Sequence, residues 1–168
     1  ALLFSVSLSS QTLYTIPTDG SMDTATTCTG FLVDGGGING NYNTYDDGFL
    51  VIDPPGNATV SVTFSAFNTY HSYDRVYIYD GVGTSGTFLG SYYGNTLPNS
   101  GNAITSTSGA ITIRFYSNYF GVSSGFLCSW STNATTAPSA NISATSTSVS
   151  YNTPVQFINT TTNAGSYL

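Results

Sequence analysis

Lysine and glutamate do not occur in this chain, and charged residues make up only 6% of it, where an ordinary soluble domain carries about 25%. Charge therefore does not solubilise the surface; Ser, Thr, Asn, Gly and Tyr must. Two strong helix formers are missing, while Thr, Tyr, Val, Ile and Phe, which suit a half-buried pleated surface, recur throughout. That balance points to strands, and no segment shows a convincing helical period. The only cations are Arg75 and Arg114, against eight Asp, for a formal net charge of -6. No basic stripe is left to neutralise a phosphate backbone, which excludes nucleic acid as a partner. The same shortage excludes a polybasic hold on an anionic membrane surface, and no apolar run is long enough to span a bilayer.

Catalytic groups are equally scarce. His71 is the single histidine, set in a polar loop, and the chain contains neither a G-x-S-x-G nucleophile elbow nor an H-E-x-x-H zinc motif. A catalytic triad would have to use His71 as its base, and nothing around it marks a nucleophile. Gly35 to Gly37 has no following helix or Lys and reads as a turn, not a phosphate cradle. No catalytic residue is expected.

Alternation is what the chain has in place of helices. Ala58, Val60, Val62, Phe64 and Ala66 alternate with Thr59, Ser61, Thr63 and Ser65, the pattern of a half-buried strand. Val76 and Ile78 repeat it, as do Ile111, Ile113 and Phe115, and then Phe126, Cys128 and Trp130. Phe49 to Ile52 is a short apolar run held between Asp47-Gly48 and Pro54-Pro55-Gly56. Gly-rich turn signals punctuate the length, among them Asn39-Gly40, Asp80-Gly81 and Ser108-Gly109. Short alternating strands between frequent turns predict an all-β sandwich or jelly roll.

The two ends read differently. Residues 1–10, opening ALLFSVSL and closing on two serines, have the pattern of the end of a secretory signal peptide, with an ordinary first strand as the alternative. Residues 11–27 then form an N-terminal extension, and 28–131 the sandwich. Residues 132–139 are apolar-poor with one Pro and read as a linker. Residues 140–168 offer two short strands, Asn141 to Ala144 and Pro154 to Ile158, too few to bury a core, as though a second β domain had only begun.

Within the sandwich, Cys28-Thr29-Gly30 is followed by Val33-Asp34-Gly35-Gly36, Gly40-Asn41-Tyr42 and the strand Val60 to Phe67. Tyr73-Asp74-Arg75-Val76-Tyr77-Ile78-Tyr79-Asp80-Gly81, Leu89-Gly90, Ile113 to Asn118 and Gly125-Phe126 come next. In order and spacing this series resembles a CUB domain of the type found in secreted bacterial proteins. The segment from Ala137, with Thr153-Pro154-Val155-Gln156-Phe157, resembles the opening of a PKD-type immunoglobulin-like domain. The first resemblance implies a jelly roll of two antiparallel sheets and a bond between Cys28 and Cys128, the first-to-last bridge of bacterial variants; two buried free thiols are the alternative. The family's second bridge is absent, since its positions fall at Ser72 and Tyr93.

Many CUB domains hold calcium with a Glu and two Asp, and those positions fall here at Tyr70, Asp74 and Asn118. Calcium takes six to eight oxygen ligands and depends on their charge. Two readings follow: a reduced calcium site at Asp74 and Asn118, helped by Asp34, Asp46 or Asp47 from a neighbouring loop, or a structural Asp74 that caps its own loop. The loss of two carboxylates favours the second, so no cofactor is expected. Tyr42, Tyr45, Tyr70, Tyr73, Tyr119 and Phe120 belong to the loops at that same end. As exposed rings they would suit a protein or glycan partner; otherwise they cover the sandwich edge. The resemblances together imply a secreted or surface-attached multidomain protein whose partners include its own further domains. Within it this domain is a binding or adhesion module, or an accessory domain of a secreted enzyme, such as a protease, with its active site elsewhere, or a spacer.

Overall fold

A computed structural model describes residues 11–56, 59–133, 142–144, 150–152, 154–155 and 157–159. The expected signal segment at 1–10 lies outside them, as do Ala58 and most of the expected linker.

Ten strands build the body: β1 (Leu13–Thr15), β2 (Asp19–Ala25), β3 (Thr29–Val33), β4 (Asp47–Ile52), β5 (Thr59–Asn68), β6 (Arg75–Asp80), β7 (Thr87–Tyr92), β8 (Ile104–Thr105), β9 (Ile111–Tyr116) and β10 (Gly125–Asn133). They form two five-stranded sheets, ordered β1-β3-β10-β5-β8 and β2-β4-β9-β6-β7. The inward residues of each strand are the ones the alternation marks. Val60, Val62 and Phe64 of β5 meet Phe126, Cys128 and Trp130 of β10 on one sheet. Leu50, Ile52, Val76, Ile78, Ile111, Ile113 and Phe115 face them from the other. Phe115 and Phe126 touch across the gap with ring centroids 5.7 Å apart. One continuous core therefore separates two pleated faces, as a sandwich requires.

Three features depart from the sequence reading. In β5 the alternation shifts phase: Cys128 lies opposite Phe64 and Leu127 opposite Ala66, so Ser65 is an extra, bulged residue. Ala66 then turns outward and Phe67 takes the inward place. Residues 11–27 are no mere extension, because β1 pairs in parallel with β3 and β2 in parallel with β4. One segment thus edges both sheets, Ile16 enters the core between its two strands, and each sheet gains one parallel pair among antiparallel ones.

The third departure is the bridge. Cys28 is exposed, Cys128 is buried, and both are free. Their strands are neighbours, as expected, but Cys128 lies opposite Leu32. Cys28, four positions back along that strand, is about 13 Å away at roughly 3.3 Å per residue, whereas a disulfide needs Cα atoms within about 7 Å. The space opposite the start of β3 belongs instead to Trp130. Its indole lies across Gly30, where any Cβ would collide with the ring, and its Nε1–H donates to the Thr27 carbonyl at 3.0 Å.

Beyond Asn133, β11 (Ile142–Ala144) and β12 (Phe157–Asn159) pair antiparallel as a sheet of their own. The two expected C-terminal strands thus form, β12 starting three residues and ending one residue later than its sequence signal.

Candidate functional site

Strand register fixes which loops meet. The ends of β3, β5 and β9 and the start of β10 all lie at one end of the sandwich. The loops 34–46, 69–74 and 117–124 therefore gather there, carrying every aromatic residue singled out from the sequence.

Two buried carboxylates, Asp34 and Asp74, and the Ser117 hydroxyl tie these loops to one another and to β10, while a third buried carboxylate, Asp46, folds loop 34–46 on itself. Asp34 accepts the Gly36 N–H at 2.9 Å and the Phe126 N–H at 2.6 Å, closing the start of β10 onto the end of β3. Asp46 accepts the Asn43 N–H at 2.9 Å, while its own N–H donates to Ser117 Oγ at 2.8 Å. Asp74 accepts the Tyr42 hydroxyl at 2.6 Å and the Asn118 N–H at 2.9 Å. Burial holds Asp34 and Asp46 above the usual carboxylate range. Burial, together with the hydrogen bond to Asp74, likewise pushes the Tyr42 phenol up, so at neutral pH it keeps the proton it donates. Asp74 does not cap its own loop as expected; its side chain reaches the other two.

The aromatic residues divide into two groups. Tyr42 is only 1% exposed and packs edge-on against Phe115, with centroids 4.8 Å apart. It cannot touch a ligand, which corrects its assignment as a binding residue: the loop turns its ring into the core and spends its hydroxyl on Asp74. Tyr73, Phe120 and Tyr119 stand 54%, 52% and 63% exposed. They form a chain of rings with His71, at centroid separations of 5.4 Å for His71–Tyr73, 6.4 Å for Tyr73–Phe120 and 5.0 Å for Phe120–Tyr119. Tyr70 is also exposed, and its ring lies flush against Gly121. Tyr45 is exposed and, like His71, adopts a left-handed backbone conformation uncommon for such residues. Its N–H donates to the Asn118 carbonyl at 3.1 Å.

Two residues join the site that the sequence reading did not include. Arg75, at the start of β6, donates to the Ser72 carbonyl at 2.9 Å and lies 4.5 Å from the centroid of the exposed Tyr93 ring. An Arg beside an aromatic is visible in the sequence, but which aromatic depends on the β6–β7 pairing. His71 shares a hydrogen bond with Ser72 Oγ at 3.0 Å and stacks on Tyr73.

The donors at the three calcium positions do not fit that ion. Tyr70 brings no carboxylate, both oxygens of Asp74 already accept protein donors, and Asn118 Oδ1 accepts the Phe120 N–H at 2.7 Å. Asp34 and Asp46 are occupied as described, and Asp47 forms a bidentate pair with Arg114. Among the described residues no group of three His, Cys, Asp or Glu side chains is placed to hold a metal.

The same two-sheet scaffold recurs in solved structures. The chain is 20% identical to the full extracellular region of zebrafish Gpr126/Adgrg6, with a TM-score of 0.57 over 70% of this chain and 15% of that one. It is 22% identical to the CUB1-EGF-CUB2 domains of human MASP-1/3, with a TM-score of 0.56 over 70% of this chain and 43% of that one. Against the MASP-1 CUB2 domain bound to Ca2+ the identity is 22% and the TM-score 0.55, covering 65% of this chain and 96% of that domain. The chain thus spans less than half the length of the first two, and at these identities the likeness is one of fold. No curated protein is significantly similar to it. No helix among the described residues is long and apolar enough to cross a membrane. The sequence profile of the CUB domain matches residues 38–130, from the first of the three gathered loops to the Trp130 that closes the core, so by sequence and by fold the chain belongs to the CUB domain family.

Proposed function

We propose that this domain is a non-catalytic binding or adhesion module that recognises a protein or glycan through the aromatic loops. The observation that carries the reading is the row His71, Tyr73, Phe120 and Tyr119, exposed as side chains yet mounted on two loops that the buried Asp74 carboxylate joins. Rings held this way present apolar area and polar edges at little cost in side-chain entropy. The rings are tilted by 25°, 39° and 58° in succession, which suits a curved or twisted partner better than a flat one. The secretory pattern of residues 1–10 and the family's place in extracellular chains support a secreted or surface-attached multidomain protein. The antiparallel pair β11–β12 supports a second β domain of PKD type beginning near residue 140.

The test is a screen of the full chain against glycans and extracellular proteins, repeated with Tyr73→Ala and Tyr119→Ala. Each variant is expected to lose about tenfold in affinity for whatever the wild type binds, the loss of about 1.4 kcal/mol of ring contact. Binding that both variants keep at full strength would place recognition elsewhere.

A further inference from the structure

The positions at which many CUB domains hold calcium fall here at Tyr70, Asp74 and Asn118, and in this chain the loops that carry them converge on a tyrosine. The hydroxyl of Tyr42, in loop 34–46, donates to Asp74 Oδ2 at 2.6 Å and accepts the backbone N–H of Tyr70 at 2.7 Å. Asp74 Oδ1 accepts the Asn118 N–H from loop 117–124 at 2.9 Å. Loop 69–74 is closed on itself by Thr69, whose hydroxyl donates to the Asp74 carbonyl at 3.0 Å and accepts the Gly94 N–H at 2.9 Å. One buried hydroxyl and one buried carboxylate therefore join all three loops, and their polar atoms are partnered within the protein. The Phe115 ring, across the core from loop 34–46, fixes where that hydroxyl points.

A divalent ion entering here would have to take Oδ2 from Tyr42, orphaning a buried hydroxyl and a backbone N–H, and would gain a single charged ligand in return. That exchange is unfavourable on both counts. We infer that the Tyr42 hydroxyl and the Asp74 carboxylate brace the three loops between them, so that the loop end of this CUB domain keeps its geometry without a divalent metal. Tyr70 fits the same arrangement: it stands where the family keeps a carboxylate, supplies only its backbone N–H to the junction, and turns its ring out over Gly121. The inference holds whatever the loops bind.

The experiment uses the full chain, stripped with EDTA and melted in EDTA, in millimolar calcium and in millimolar magnesium. The three midpoints are expected to coincide, because an ion that bound the native state would raise the midpoint by mass action. Tyr42→Phe, which keeps the ring and removes the hydroxyl, is expected to melt about 5–10 °C lower, by the same amount with and without calcium. A calcium-dependent rise in the wild-type midpoint would overturn the inference, as would a Tyr42→Phe chain that melts with the wild type. If the variant does not fold, the wild-type comparison decides alone.

Discussion

Asp80, at the end of the sandwich away from the aromatic loops, is the most fully hydrogen-bonded carboxylate among the described residues. Its oxygens accept the backbone N–H groups of Thr107 and Ser108 at 2.9 and 3.0 Å and both hydroxyls of those residues at 2.6 Å. Burial raises its pKa, but these four bonds together outweigh burial and hold it at about 2. Because the folded value lies below the unfolded 3.8, the stabilisation is complete above about pH 4 and is lost as the pH falls toward 2. Asp34 and Asp46 act in the opposite sense: raised by burial, they favour the fold as they protonate. Urea melts of wild type and Asp80→Asn should isolate the Asp80 share, with a stability gap that is widest above pH 4 and narrows on acidification. A gap that stays constant with pH would mean that Asp80 contributes shape and not charge. At the other end, Gly125 has φ +71° and faces the Asp34 carboxylate so closely that any Cβ would collide with it. Gly125→Ala is therefore expected to cost roughly 2–4 kcal/mol, through left-handed strain and a disturbed buried carboxylate. Cysteine chemistry gives a third check at this scale. An exposed Cys28 should react with a thiol reagent in the native protein and a buried Cys128, its thiol pushed up by burial, only after denaturation. A protein with no titratable thiol in denaturant would restore the bridge that the register rules out.

Among the elements, strands with one inward face declared themselves in the sequence, because burial on one side and water on the other impose a period of two. That is why β6, β9 and β10 run where the alternation puts them. The bulge at Ser65 escaped, since an extra residue is invisible until the partner strand supplies the register. β1 and β2 escaped for a different reason. At the sheet edges most of their residues are exposed, so they show no alternation. Ile16, the buried residue between them, looks in sequence like any apolar residue beside a proline. Ile16→Ala tests their standing: as core it should cost about 2–5 kcal/mol, whereas a residue of a loose extension would cost almost nothing. The site was legible to a similar depth. The sequence marked its loops and its rings, but whether a tyrosine faces solvent or core turns on partners far along the chain. For Tyr42 the deciding partner is Asp74, 32 positions away.

On the scale of the whole molecule, the sandwich is closed by its own strands, and among the described residues β11–β12 shares no strand pairing with it. A chain ending at Asn133 should therefore melt within a degree or two of the full chain. A large fall would tie the C-terminal strands to the core.

The register also sets how the domain carries load. Leu13, where β1 begins, and Asn133, where β10 ends, lie at the same end of their sheet, because β1 starts beside Phe31 and β10 finishes past Thr29. The aromatic loops occupy the other end. Polypeptide continuing from either point leaves at the back of the sandwich, so under the proposed loop recognition a bound partner would pull lengthwise along the strands. Hydrogen bonds between strands lie across that direction. Tension would therefore have to shear the β3–β10–β5 ladder as a block instead of peeling it one bond at a time, which is what the proposed binding role would ask of it.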